Sequence, residues 1–222
     1  MALTKYNYNS FNVTPVASKA LAFNSDADGL TTAAEGSMVL IKTLTASTSA
    51  TLSFVDGASD VVLDNTYPIY KFVFNNIHPA TDNVNFLFNM SVDAGSNYNV
   101  TKTTTFFLAE HFEDDSQAQL GYQTAKDLAQ STSFQSLMHD LGNANDECVS
   151  GELTLFNPSS TTFIKHFIAR TNGMYFDAPN ASFDNSIAGY GNTTSAVDAI
   201  QFKFDSGNID AGTIKLYGLK DS

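Results

Sequence analysis

With 222 residues, of which 43% are hydrophobic and only 15% charged, the chain has ample material for a packed core and too little charge for a disordered ensemble. Its 23 Asp and Glu against 11 Lys and Arg give a net charge of −12, which repels phosphate backbones and argues against nucleic acid as a partner. Cys148 is the only cysteine, so no internal disulfide forms, and no window approaches the length of a membrane-spanning helix, which argues against a membrane partner.

Residues 1–36 are rich in Asn, Ser, Thr, Ala and Asp and read as an irregular N-terminal arm or first strands, set apart from a single domain over 37–222. The start, MALTKYNYNSF, lacks the basic and apolar run of a secretory signal, so synthesis in a cytoplasm is expected. Tyr6, Tyr8 and Phe11 along this arm are candidate docking rings, because short exposed arms order on binding. Asn24, Asp26, Asp28 and Glu35, with Gly29 between, occupy positions one, three, five, twelve and six of a calcium-loop spacing. No amphipathic helices flank that loop, so a solvated Asp/Gly turn is the preferred reading and no metal or other cofactor is expected.

From Ser37 onward the pattern is that of strands. Met38 to Thr43 (MVLIKT) predicts a buried strand, and Ala50 to Val55 (ATLSFV) alternates before Asp56-Gly57, which together predict a hairpin with a return strand over 60–63. Tyr70, Phe72 and Phe74 share one face of the next run, which Pro79 breaks. In 83–92 (NVNFLFNMSV), Val84, Phe86, Phe88, Met90 and Val92 point one way and Asn85, Leu87, Asn89 and Ser91 the other, as expected of a central strand. Thr103 to Leu108 is β-prone. Between Gly121 and Leu141, Leu128, Phe134, Leu137, Met138 and Leu141 recur at near-helical spacings, so at most one short helix is expected there. Gly151 to Phe156 and Phe163 to Ala169 return to strand.

The stretch 172–195 reads as a long loop carrying the rings of Tyr175, Phe176, Phe183 and Tyr190, which fit a subunit contact better than a sugar-binding surface. Last, Ile200, Phe202 and Phe204, then Ile214 and Leu216, alternate on either side of a Gly/Asn/Asp turn and predict two antiparallel strands. The fold class is therefore all-β, an antiparallel sandwich or barrel, with the sandwich as the simplest architecture.

No catalytic constellation stands out. The histidines His78, His111, His139 and His166 lack zinc-site spacing, and His166 reads as a side chain on a sheet surface. The acids Glu110, Glu113, Asp114, Asp115, Asp146 and Glu147 read as solvated loops rather than as a glycosidase pair.

Four passages, DSGNIDAGTIKLYGL, ADGLTTAAEGSMVLIKTLTAS, LSFVDGASDVVLDNTYPIYKFVFNNIHPATD and GELTLFNPSS, together resemble structural proteins of marine tailed bacteriophages such as cyanophages. The resemblance implies a jelly-roll-like sandwich and a non-enzymatic virion protein, a capsid decoration, knob or tail-fibre component. It also implies many copies, homo-oligomer formation and docking on other virion proteins. A carbohydrate-binding module contacting a host-surface glycan is the alternative function.

Overall fold

The structure, a computed structural model, describes residues 21–23, 30–32 and 36–221. Contacts divide the chain into two units, Met1–Ser37 and Met38–Ser222. In the first, β1 (Leu21–Phe23) and β2 (Leu30–Thr32) pair antiparallel with Leu21 opposite Thr32.

The second unit is built from strands and their connections. They are β3 (Met38–Thr45), β4 (Leu52–Val55), β5 (Ile69–Pro79), β6 (Val84–Ser91), β7 (Lys102–Phe112), β8 (Ala118–Tyr122), β9 (Gln135–Leu141), β10 (Val149–Phe156), β11 (Lys165–Met174), β12 (Ala181–Gly191), β13 (Ala199–Phe204) and β14 (Ile209–Leu219). They form an eight-stranded antiparallel sheet, β3-β14-β5-β10-β11-β12-β7-β8, and a four-stranded one, β4-β13-β6-β9. The molecule is thus an antiparallel β-sandwich, and two separate sheets rule out a closed barrel.

Removing β7, β8, β11 and β12 leaves two sets of four, β3-β14-β5-β10 and β4-β13-β6-β9. Along the chain these strands change set at every step except from β6 to β9, which is the double Greek-key order of a jelly roll. The pairs β7–β8 and β11–β12 are insertions that widen one sheet beyond β10.

Between the two sets lies an aromatic core. Phe202 on β13 meets Phe72 at 5.5 Å and Phe74 at 5.2 Å across the sandwich, and it stacks on Phe86 at 6.0 Å within its own sheet. Phe54 joins Phe72 at 5.4 Å, and Phe88 joins Phe167 at 4.9 Å. Edge-on ring pairs at these separations add to the burial itself. The alternation read from Tyr70, Phe72 and Phe74, from Val84 to Val92, and from Ile200 to Phe204 is the alternation found: the apolar side chains of these faces are buried, except for Val92, which lies just past the end of β6 and is 37% exposed.

Four local expectations need correction. The pair β13/β14 is not a hairpin, because its members belong to different sheets, β14 pairing with β3 and β13 with β4; and β3, expected to be a buried strand, leaves Met38 and Leu40 each 52% exposed. Alternation fixes which side of a strand is buried but carries no information on its partner. Residues 60–63 form no strand, although Val61 and Leu63 are buried. The span 121–141, for which at most one short helix was expected, holds none among the described residues; it comprises the end of β8, a connector and β9, in which Gln135 to His139 are all buried. Finally, 172–195 is mostly strand, the end of β11 and all of β12.

Candidate functional site

The outer face of the widened sheet presents three zones, and strand register sets their order. At one end Phe156, His166, Ile168, Ala188 and Tyr190 line an apolar depression of about 470 Å³, where Ile168 is 56% exposed and the His166 and Tyr190 rings lie 6.2 Å apart. The middle is charged: Lys71 reaches Glu152 at 2.7 Å, and Arg170 binds Asp184 in a fork through Nε at 2.9 Å and Nη2 at 2.6 Å. That fork holds the Asp184 carboxyl below its usual range. At the far edge Phe107 and Tyr122, opposite each other across β7 and β8, meet edge-on at 5.2 Å beside Leu120, which is 76% exposed. The Tyr122 hydroxyl donates to Asp127 Oδ2 at 2.6 Å, which raises its pKa.

A more polar cleft of about 600 Å³ lies beside the β11–β12 turn, lined by His111, Glu113, Asp146, Cys148, Ser150 and Ser182. Its chemistry is modest. His111 Nε2 is 3.1 Å from Asp115 in an exposed turn, the Ser182 hydroxyl oxygen accepts from Asn172 Nδ2 at 3.0 Å, and burial pushes the Cys148 thiol up, away from the thiolate. Among the described residues no three His, Cys, Asp or Glu side chains converge as a metal site.

Beneath the same strands lies a buried polar network. Lys102 Nζ, fully buried, donates to Asn89 Oδ1 and to the Val100 carbonyl at 2.8 Å, with no carboxylate among the described residues to pair it, and desolvation lowers its pKa to about 7. Thr104 donates to Gln135 Oε1 at 2.6 Å while its hydroxyl oxygen accepts from the Leu128 N–H at 2.8 Å. Glu110 accepts from the side-chain amides of Gln117 and Gln119 at 2.5 and 2.6 Å. His139 stands between Phe106 and Phe183 with Nδ1 2.8 Å from Asp140 Oδ2; at 5% exposure it is out of reach of any solute.

The residues singled out from sequence fare differently. Phe183 is 4% exposed, stacked on Tyr175 at 5.0 Å, and belongs to the core; it faces inward because β12 alternates there and is not the loop expected. Tyr175 and Phe176 are half-buried beside it, 4.9 Å apart. Tyr190 alone lies on the outer face, in the apolar depression. His166 is exposed on the sheet surface, as expected. Glu110 and Glu147 are buried rather than solvated, whereas Glu113, Asp114, Asp115 and Asp146 are exposed. Tyr6, Tyr8 and Phe11, and the calcium-like Asn24, Asp26, Asp28 and Glu35, lie outside the described residues.

Sequence reasoning missed Phe107, Leu120, Tyr122, Phe156 and Ile168. A signal existed for the first: consecutive rings at Phe106 and Phe107 on one strand must point to opposite faces, so one of them leaves the core. Comparison with protein-family models, with curated proteins and with solved structures returns no match to this chain.

Proposed function

We propose that this chain is a non-enzymatic structural protein of a bacteriophage virion, a capsid decoration, knob or fibre component that is made in the host cytoplasm, self-associates and docks on other virion proteins. The observation that carries this reading is the outer face of the widened sheet. A chain with a net charge of −12 there exposes Phe107, Leu120, Tyr122 and Ile168 on one side, apolar surface of the kind that contacts between proteins cover. The jelly-roll strand order supports it by analogy only, because that order serves capsid and lectin domains alike. The four passages similar to marine phage structural proteins supply the particle.

The test is mass spectrometry of gradient-purified particles of the phage that encodes the chain. Many copies per particle are expected; a chain found in the infected-cell lysate but missing from particles overturns the reading. A second reading, contact with a host-surface glycan, is favoured by the Tyr190 and His166 rings at the rim of the apolar depression. It predicts sugar binding that is lost in Tyr190→Ala while particle incorporation persists.

A further inference from the structure

Strand β8 is the last strand of the eight-stranded sheet, and no described strand covers its outer side. Its register fixes what that side offers. Glu110 stands opposite Gln119 and Leu108 opposite Gly121, while the flanking bonds Phe112 N–H to Gln117 carbonyl and Gln123 N–H to Phe106 carbonyl, both 2.9 Å, set the phase of the ladder. The backbone groups of Gln119 and Gly121 therefore turn toward β7, and those of Ala118, Leu120 and Tyr122 turn outward. The side chains of the same three residues lie on the outer face with Phe107, because Ala109 pairs Leu120 and Phe107 pairs Tyr122.

Exposed edges of this kind are usually blunted by lysine, proline or a bulge. Here the run from Ser116 to Ala125 contains no charged residue and no proline, and the β7–β8 register has no shift.

We propose that β8 is the contact between two copies of this chain. The two β8 edges pair antiparallel about a two-fold axis at Leu120 and join two eight-stranded sheets into one. The proposal rests on the self-association reading above and names its contact.

Three properties favour a second copy over a foreign strand. The outward-turned residues are self-complementary: with Leu120 opposite Leu120, Ala118 of one copy falls opposite Tyr122 of the other, so each outward N–H meets a carbonyl, as a two-fold contact requires. Sizes match as well, since the ring of Tyr122 is set against the methyl of Ala118, and the two-fold makes one apolar strip of Phe107, Tyr122 and Leu120 from both copies. Charge also selects: two copies each carrying −12 approach at least cost through an uncharged segment, and the Ser116–Ala125 run provides one.

The register makes the test sharp. In a Cys148→Ser background, Leu120→Cys places two sulfurs on a directly opposed, hydrogen-bonded pair with Cα atoms about 5.5 Å apart, within the roughly 4.4–6.8 Å that a disulfide spans. Non-reducing electrophoresis should show a covalent dimer for Leu120→Cys and none for Gln119→Cys, whose side chain lies on the other face. Light scattering should find the unaltered chain dimeric or in a multiple of dimers. Leu120→Pro deletes an outward N–H without touching the β7–β8 ladder, and Leu120→Lys sets like charges face to face. Both variants should halve the mass while retaining the circular dichroism of the parent, and Leu120→Lys serves if the proline variant fails to fold.

An oligomer that survives both variants and gives no Leu120→Cys crosslink overturns the β8 pairing while leaving the virion reading in place. A chain that is monomeric at every concentration yet present in particles also overturns the pairing, with the edge then taken by another virion protein. Absence from particles overturns the virion reading alone.

Discussion

Where β4-β13-β6-β9 covers β3-β14-β5-β10, rings meet rings: Phe54, Phe72, Phe74, Phe86 and Phe202 fill the space, and Lys71, Glu152, Gln201 and Lys203 face away from it. Beneath β7, β11 and β12 the same two-residue alternation brings Lys102, Thr104, Glu110, Lys165, Thr171 and Asn185 inward while Phe107 and Ile168 point out. Of the buried polar side chains among the described residues, all but Asn89, Ser91 and Glu147 lie on β7, β9, β11 or β12. The contrast has a physical origin. The opposing sheet ends at β9, and the connector 123–134 runs beside β7, bonded to its backbone only at Gln123, Leu128 and Ser131, so other backbone N–H and C=O groups of the connector take side-chain partners. Thr104 serves the Leu128 N–H, Gln135 the Lys126 carbonyl at 2.9 Å, and Asn89 the Thr132 carbonyl at 2.9 Å. A sheet covered by a sheet can be oily inside; strands beside such a connector cannot.

The largest effect should come from breaking the oily half. Phe202→Ala removes the ring at the centre of five others and should cost about 3–5 kcal/mol, a fall in melting temperature on the order of 10 °C, read by thermal and urea unfolding. Thr104→Val keeps the shape of the side chain in the other half but orphans the Leu128 N–H and Gln135 Oε1; it should cost about 1–3 kcal/mol with a smaller loss of buried area.

The buried Lys102 sharpens the comparison through pH. Its folded pKa of about 7 lies below the ordinary 10.5, so the unfolded chain binds more protons between these values and stability rises with pH across that window. Lysine 102 alone contributes up to about 1.4 kcal/mol per pH unit there. Lys102→Met should abolish that part of the slope and stabilise the protein most at pH 7 and below; equal slopes for the two proteins would refute the assignment. The smallest effect on folding belongs to the outer face. Ile168→Asp should change unfolding free energy by no more than about 0.5 kcal/mol and yet weaken association wherever that face is covered.

The all-β class, the central position of β6 and the buried faces of β5, β6 and β13 were legible because alternation of apolar and polar residues is a local signal, complete within one strand. Pairing was not legible. Nothing local to Met38–Thr45 says that its neighbour is residues 213–219 rather than 52–55. Two other strands were hard for different reasons: β9 is buried on both sides, so Ser136, Leu137, Met138 and His139 show no period of two, and their apolar members imitate a helix. β12 misled because its buried face mixes Phe183, Asn185 and Ile187 with small and polar residues that read as loop. Of the rings on the outer face, only Tyr190 and His166 were legible from sequence, since exposure of a ring depends on what the opposite sheet fails to cover.

Strand β3 has no partner except β14, and β4 none except β13, among the described strands. On the ribosome this has a consequence in time. Residues 38–55 emerge early, with Phe54 among them, and wait for residues 199–219 before either sheet can close on that side. Pairing over such a separation in sequence is slow to form and leaves apolar strands open in the interval. A chain halted anywhere before residue 199 therefore leaves both sheets open, with the edges of β3 and β4 unpaired and Phe54 without the Phe202 ring that packs on it.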